Sequence, residues 1–325
     1  MSRDLDLHGV ERDFAAACRA AGLVLTGPPI LDGRFHRVPV DGSTSTRRNG
    51  AYRGHTDGVP AGYIQNHKTG QIVRWVYQRA QEQLSAAERA TQQAKWAQQQ
   101  AQRKADQGRL YADRARVLAA EFESLPPASP LHPYLLRKGL DLRRAVLAQL
   151  REDLSGALVV PVRDIDGRLW SGQAIQSDGF KDYAPGGRIA GGMFDFGPPD
   201  IRGAGDHLPV IVAEGFATAA TLDALALGHV IAAFQANNLA AAALAWRQRF
   251  PHRQIVIAGD NDRFTRDPKG QLKNPGLLYA RAAAEGIAGA WLVPSFSHPK
   301  SRGTDWNDLH REEGYASMLR QWNIQ

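Results

Sequence analysis

The sequence predicts an α/β protein whose last part, residues 206–325, is a parallel sheet flanked by helices. Short runs rich in Val and Ile end abruptly in acid and glycine, at 210–215 and 255–260, which is typical of strands buried on both faces of a parallel sheet. Helical patterns separate these runs, and connections of this length favour right-handed crossovers. We expect strands near 208–213, 229–234, 254–259 and 289–294, and helices near 216–227, 237–250, 275–286 and 306–322.

Composition is ordinary for a soluble globular protein, with 43% hydrophobic and 22% charged residues in a chain of 325. The formal net charge of +7 is spread along the chain, which permits nucleic-acid binding without requiring it. No apolar run approaches the length of a membrane span, and the first residues lack the plan of a signal peptide. The single cysteine, Cys18, excludes an internal disulfide and a multi-cysteine zinc site. We therefore expect a cytoplasmic protein without zinc.

Residues 1–77 read as a small β-rich module behind an N-terminal helix over 9–21. Strand-like runs occur at 35–40, 50–55, 61–66 and 71–76, separated by Gly, Asp, Asn and Ser. Basic residues lie among aromatic ones in these runs: Arg37, Arg47, Arg48, Arg53, Lys68 and Arg74 beside Tyr52, Tyr63 and Trp75. This pattern fits a surface for single-stranded nucleic acid. It fits equally well a half-buried sheet whose aromatic rings face its own core.

Residues 78–125 are rich in Gln, Ala, Arg and Glu, which predicts a solvated helical connector. Prolines 126, 127 and 130 end it, and residues 126–205 begin a new, basic α+β lobe. In this lobe we expect two strands within 157–176, joined by a turn at 164–167. Lys181 and Arg188 follow among glycines that would let the backbone approach a polyanion, although surface turns alone would explain those glycines.

Three acidic residues follow the predicted parallel strands. Glu214 ends one strand, and Asp260 and Asp262 end another. Because chemistry in open α/β sheets lies beyond the carboxyl ends of the strands, these side chains should meet at one rim. Carboxylates that repel each other there would be joined by a hard cation, and Mg²⁺ or Mn²⁺ suits such ligands. Glu214 would bind the metal or act as a general base.

A second acidic pair lies at 305 and 308. Asp305 would cap the last helix or serve as an outer metal ligand. Lys300 and Arg302, just before it, would meet phosphate. Phe264, two residues after Asp262, excludes a haloacid-dehalogenase-type phosphatase, which needs a small hydroxyl or β-branched residue there.

Glu214-Gly215 and Asp260-Asn261-Asp262, in this order and strand context, resemble the Toprim family, the metal-binding domain of bacterial primases, topoisomerases and related nucleases. The segment 132–139, then Lys181 and Gly186-Gly187, resembles the part that precedes Toprim in plasmid and phage primases. Residues 49–55 and 62–66 are similar to the front module of conjugative-plasmid primases. Many primases carry a zinc ribbon at this end, whereas this chain lacks the cysteines for one.

The resemblance implies a Toprim-type DNA primase that joins nucleoside triphosphates into a primer on single-stranded DNA. Glu214, Asp260, Asp262 and Asp305 would hold Mg²⁺ or Mn²⁺, and Lys181, Arg188, Lys300, Arg302 and Arg53 would contact template or nucleotide. A replicative helicase or another replication protein would be a further partner. A Toprim nuclease and a non-catalytic DNA-binding replication module remain the alternatives.

Overall fold

The computed structural model describes residues 6–42, 48–56, 59–77, 86–198, 208–267 and 270–322. The chain divides into two compact units, one of Met1–Asp106 with Arg266–Gln271 and the other of Gln107–Thr265 with Leu272–Gln325. This division is coarser than the four predicted segments 1–77, 78–125, 126–205 and 206–325, whose boundaries stay predictions. Within the described ranges no helix combines the length and apolar character that a membrane crossing requires.

The N-terminal unit contains a helix packed on an antiparallel sheet. Helix α1 (Leu7–Ala20) precedes four strands in the order β1-β2-β3-β4: β1 (His36–Val38), β2 (Gly50–His55), β3 (Ala61–Asn66) and β4 (Gln71–Val76). The predicted helix and strands are confirmed. Their positions follow from alternation, because every second side chain of a strand reaches the core under the helix.

Two of the three aromatic residues predicted for a nucleic-acid surface lie instead in this core. Phe14 of α1 contacts the rings of Tyr52 and Trp75, at centroid distances of 5.8 and 4.9 Å. The indole nitrogen of Trp75 donates to Asp13 at 2.9 Å. For Tyr52 and Trp75 the core interpretation is therefore correct, and the surface interpretation is wrong. Tyr63 lies on the other side of the sheet, and Arg47 lies outside the described residues.

Helix α2 (Ala86–Ser124) is 39 residues long and mostly exposed, within the segment whose composition predicts a helix. Residues 78–85 of that segment lie outside the described residues. Near its end, Leu118 and Phe122 pack against Val159 and Leu169. The end of the helix is thereby fixed to the sheet that follows, because this apolar contact removes water from both elements.

The next segment contains two short helices and an antiparallel sheet. Helices α3 (Pro133–Lys138) and α4 (Arg144–Leu147) precede strands in the order β5-β6-β7-β8: β5 (Arg151–Glu152), β6 (Leu158–Arg163), β7 (Leu169–Ile175) and β8 (Lys181–Tyr183). The predicted strand pair and its turn are confirmed, with Gly167 at a φ of +81° closing the turn. Lys181 is the first residue of β8.

A five-stranded sheet organises the C-terminal segment, in the order β13-β12-β10-β11-β9. Its strands are β9 (Phe194–Asp195), β10 (Val210–Ala213), β11 (His229–Ala232), β12 (Ile255–Ala258) and β13 (Ala290–Leu292), and only β9 is antiparallel to its neighbour. Its helices are α5 (Phe216–Asp223), α6 (Leu239–Arg249), α7 (Pro275–Gly286) and α8 (Trp306–Trp322), the last kinked at Gly314. The predicted parallel sheet is confirmed. Every residue of β10, β11 and β12 is buried, as the apolar runs predict.

Candidate active site

The order of the parallel strands reverses beside β10. From β10 the chain moves to β11 on one side, and then to β12 on the other. Ala213 and Ala258, the last residues of β10 and β12, are register partners. Glu214 follows the first directly, and Asp260 follows the second after one glycine. The two carboxyl groups therefore flank the crevice at the strand-order reversal, where α/β sheets bind their ligands.

The Glu214 carboxylate is half-buried in this crevice. The backbone amides of Asp260 and Ala236 donate to it, while its Oε2 atom is buried without a hydrogen-bond partner. Burial and then the negative charge of Asp262 raise the pKa of Glu214 to about 7, against the opposing effect of Lys181. A carboxylate with a buried oxygen lacking any partner is a group that a cation would stabilise.

The carboxyl group of Asp260 has an environment similar to that of Glu214. Its Oδ1 atom is buried and makes no hydrogen bond. Burial, and then the charges of Glu214, Asp305 and Asp262, raise the pKa of Asp260 well above its ordinary value. The negative charges that sequence analysis expects at one rim are therefore close enough to repel each other.

Asp262 is held by the start of a helix. Its Oδ2 atom accepts the backbone N–H of Gly276 at 3.0 Å, in the first turn of α7. A side chain at Gly276 would collide with the backbone oxygen of Asp260, so α7 approaches this loop only because residue 276 is glycine. Asn261, between the two aspartates, donates its side-chain N–H to the Pro294 carbonyl oxygen at 2.8 Å. These contacts fix the loop on both sides.

Asp305 caps the last helix. This is one of the two roles predicted for it, the other being an outer metal ligand. Its Oδ1 atom accepts the backbone N–H of Asp308 at 2.7 Å. The other oxygen, Oδ2, lies 3.8 Å from the ammonium nitrogen of Lys138. Burial raises the pKa of the Asp305 carboxyl, and Lys138 opposes the rise. The cap occupies one oxygen only, so it leaves Oδ2 facing the site.

A cavity of about 250 Å³ opens beside these carboxylates. Three cationic side chains line it together with Asp260 and Asp305; the lining residues are Tyr134, Arg137, Lys138, Asp178, Gly179, Lys181, Gly215, Ala217, Thr218, Asp260 and Asp305. Burial, and then the neighbouring Lys138, lower the pKa of Lys181. A pocket lined by carboxylates together with ammonium and guanidinium groups is suited to a metal-bound polyphosphate.

Arg137 and Lys138 are site residues that sequence analysis does not identify. Both end α3, where Gly139 adopts the left-handed conformation that closes the helix. The signal for them was present in the sequence, since a basic pair before a helix-ending glycine places two cations at one helix terminus. What the sequence does not show is that this terminus faces Asp305.

The other predicted basic contacts do not line the cavity. Arg188 stacks on the ring of Trp170, at 3.5 Å from its centroid, and lies 3.8 Å from Asp164. Arg302 lies over the ring of Phe264 at 5.2 Å, and Lys300 is exposed nearby in the chain. Arg53 belongs to the N-terminal unit. Their predicted contacts with nucleic acid stay predictions.

The four predicted metal ligands do not form a preassembled cage. Considering only the part of the chain that the structure describes, no group of three or more carboxylate, histidine or cysteine side chains is arranged to hold a metal ion. The residues nevertheless fit Mg²⁺, which protein sites usually bind through one or two carboxylates, with water and substrate phosphates as the other ligands. Glu214 Oε2 and Asp260 Oδ1, buried without partners, are two such oxygens.

Residues 209–316 match the family model described as Toprim domain. This part of the chain is a Toprim domain. Over 292 residues, 88% of its length, the chain is 38% identical to a DNA primase TraC of Escherichia coli, and it covers 26% of that protein. A second protein of this description from the same species is 37% identical over 293 residues, of which the chain covers 19%. The chain thus spans about a quarter or less of the length of these curated relatives.

A solved structure to which this chain is similar is the primase fragment of the bacteriophage T7 primase-helicase protein. It shares 16% sequence identity, with a TM-score of 0.39, and the match covers 62% of this chain and 76% of that fragment.

Proposed function

We propose that this chain makes short primers on single-stranded DNA by metal-dependent transfer of nucleotides from nucleoside triphosphates. One observation carries the proposal. Two carboxylate oxygens without partners, on Glu214 and Asp260, flank the strand-order reversal of the Toprim sheet and adjoin a pocket lined by Arg137, Lys138 and Lys181. The similarity to proteins named DNA primase, over 88% of this chain, supports the same function.

In this proposal the carboxylates hold Mg²⁺ or Mn²⁺. Asp260 and Glu214 offer their unpartnered oxygens, Asp262 offers the oxygen that does not accept from Gly276, and Asp305 offers Oδ2 as an outer contact. The bound metal would neutralise charge that develops on the triphosphate and orient the attacking hydroxyl. Without a metal, burial and then the repulsion between these groups raise the pKa values of Glu214 and Asp260.

The three cationic side chains that line the cavity bind the rest of the nucleotide. Lys138 and Lys181 present ammonium groups, and Arg137 presents a guanidinium group that can pair with two phosphate oxygens at once. Glu214 is either a metal ligand or the base that accepts the hydroxyl proton. Arg188, Lys300 and Arg302 would contact template outside the cavity.

The proposal includes the partners that this chemistry needs. These are single-stranded DNA as template, nucleoside triphosphates as substrates, and a helicase or another replication protein that exposes the template. We place this activity in the bacterial cytoplasm, where these substrates are present.

A primer-synthesis assay tests the proposal. The full chain is incubated with single-stranded DNA and labelled nucleoside triphosphates, with Mg²⁺ or with a chelator. New labelled oligonucleotides that need both template and Mg²⁺ support the proposal, and Asp260→Asn should abolish them. Shortening of the template without new products would establish the nuclease alternative. If neither new products nor shortened template is found, the result would favour the non-catalytic module.

A further inference from the structure

The sheet of the N-terminal unit has a second face, on the side away from α1. Strand registers pair Arg53 with Tyr63 and Tyr63 with Arg74, so these three side chains form a row across β2, β3 and β4. Tyr52 and Trp75, one residue away, point to the opposite side and pack against α1. We call the side away from α1 the outer face; it comprises Phe35, Arg37, Arg53, Tyr63, Ile72, Arg74 and Val76.

Aromatic rings and guanidinium groups are in contact on the outer face. The guanidinium carbon of Arg53 lies 5.0 Å from the centroid of the Phe35 ring. The rings of Phe35 and Tyr63 meet edge to face at 6.0 Å. Arg53 therefore lies over one ring that contacts a second ring, so the cation and the two aromatic groups form one cluster.

Most of these groups are open to solvent, and Tyr63 is half-buried. Phe35 is 57% exposed and Ile72 is 53% exposed, and Arg37, Arg53 and Arg74 are exposed as well. Single exposed apolar residues are normal, but an exposed ring and aliphatic groups next to several cations form a patch, and patches mark interaction sites.

On the four strands the charged side chains of the outer face have one sign, while Asp32 pairs with His55 in a bridge at its edge. Of the positions on the four described strands that point this way, three are arginine and none is aspartate or glutamate: Arg37, Ala51, Arg53, His55, Ala61, Tyr63, Gln65, Ile72, Arg74 and Val76. An anionic partner is complementary to such a face. A partner that also has planar groups gains contacts with the rings, which an acidic peptide lacks.

We propose that the outer face binds single-stranded nucleic acid, with Arg37, Arg53 and Arg74 on its phosphates and with Phe35 and Tyr63 stacking on its bases. Cations that follow the backbone and rings that accept any base are the two requirements of sequence-tolerant single-strand binding. This inference deepens the proposed function by adding a template contact in the N-terminal unit. Binding alone tests it, so it can fail while primer synthesis stands.

The experiment compares two matched double variants of the full chain. Arg53→Ser with Arg74→Ser removes two charges from the outer face. Arg12→Ser with Arg19→Ser removes two from exposed positions of α1, on the other side of the sheet. Binding of a fluorescent oligothymidylate is measured by anisotropy over a series of salt concentrations, without Mg²⁺ or nucleotide. Circular dichroism and thermal melting confirm that each variant is folded.

We expect the outer-face variant to bind about tenfold or more weakly, and the slope of log affinity against log salt to fall by about 1.4, since each lost phosphate contact on a single strand contributes about 0.7. Phe35→Ala should weaken binding about fivefold or more without changing this slope, because stacking does not release counterions. The α1 control should bind like the unchanged chain.

Equal affinity of both double variants and the unchanged chain overturns the proposal. So does an equal loss in the two double variants, which would indicate an effect of net charge alone. The outer-face variant could instead bind oligothymidylate normally but lose self-association or binding to an oligoglutamate peptide. That result would assign the face to another partner. Asp260→Asn should retain the binding while losing primer synthesis, which separates this inference from the proposed function.

Discussion

The side chains of Lys138 and Asp305 form an ion pair at the wall of the candidate active site, with 3.8 Å between the ammonium nitrogen and Oδ2. Lys138 ends the short helix α3 and Asp305 caps α8, so the pair joins two segments far apart in the sequence. The same ammonium group lies 3.8 Å from Oδ1 of Asp308. A bound triphosphate would give Lys138 a further anionic partner.

Replacing Lys138 tests its part in nucleotide binding. Lys138→Met should raise the nucleotide KM roughly 10- to 100-fold, the range for losing one hydrogen bond to a charged group. Lys138→Arg keeps the charge and should retain much of the activity. The measurement is primer synthesis over a series of nucleotide concentrations, with exposed Lys104→Met as the control. An unchanged KM in Lys138→Met would show that the triphosphate binds elsewhere.

Removing one of the repelling carboxylates should stabilise the metal-free protein. The carboxyl of Asp260 has a buried oxygen, and burial and then the charges of Glu214, Asp305 and Asp262 raise its pKa. We expect Asp260→Asn to raise the Tm in a chelator at pH 8 by about 2–4 °C, which corresponds to roughly 1 kcal/mol for a domain of this size. Asp166→Asn, at an exposed turn, is the control. A lower Tm in Asp260→Asn would mean that the carboxylate has a stabilising partner.

The raised pKa of Glu214 predicts how stability depends on pH. Its value of about 7 exceeds the ordinary 4.5, so the folded metal-free protein holds a proton that the unfolded chain releases. The contribution of Glu214 to stability is therefore fully present below about pH 4.5 and is lost as pH rises through 7. The difference in Tm between Glu214→Gln and the unchanged chain, followed in a chelator, should grow between these values. A difference independent of pH would show that the carboxyl titrates normally.

Glycine at the start of α7 should be required for the geometry of the Asp260 loop. A methyl group at Gly276 would collide with the Asp260 backbone, whereas at Gly286, the other end of the same helix, nothing lies within 4 Å of an added Cβ. We expect Gly276→Ala to lower both the Tm and primer synthesis. Gly286→Ala should be neutral or slightly stabilising, because alanine favours helix. Equal behaviour of the two variants would mean that α7 can move without affecting the site.

Sequence reasoning predicts the sheet well because its signals are local. The runs that become β10 and β12 are apolar throughout, and an acid follows each, which is enough to place Glu214 and Asp260 at one rim. The two oxygens of Asp305 divide between two contacts, because Oδ1 caps α8 and Oδ2 lies 3.8 Å from the ammonium nitrogen of Lys138. Such a division depends on side-chain direction, which residue types do not encode.

The contacts that escape sequence reasoning are between distant segments. Lys138 meets Asp305 only through the packing of α3 beside α8, and no periodicity reports this. For Arg188 the sequence does not show that its guanidinium group stacks on Trp170, and its predicted contact with nucleic acid stays a prediction. Tyr52 and Trp75 likewise have the residue types of a binding surface, and only strand register assigns them to the core.

Metal binding by the carboxylates of Glu214 and Asp260 is the central claim, and a titration with Mn²⁺ in the presence of a nucleoside triphosphate tests it most directly. Electron paramagnetic resonance reports free Mn²⁺, and the same titration of the nucleotide without protein is subtracted, so binding to the protein is counted without any need for catalysis. We predict saturable binding by the unchanged chain and at least tenfold weaker binding by Glu214→Gln and Asp260→Asn, in line with the loss of one charged ligand. Equal Mn²⁺ affinity in all three proteins would contradict the claim.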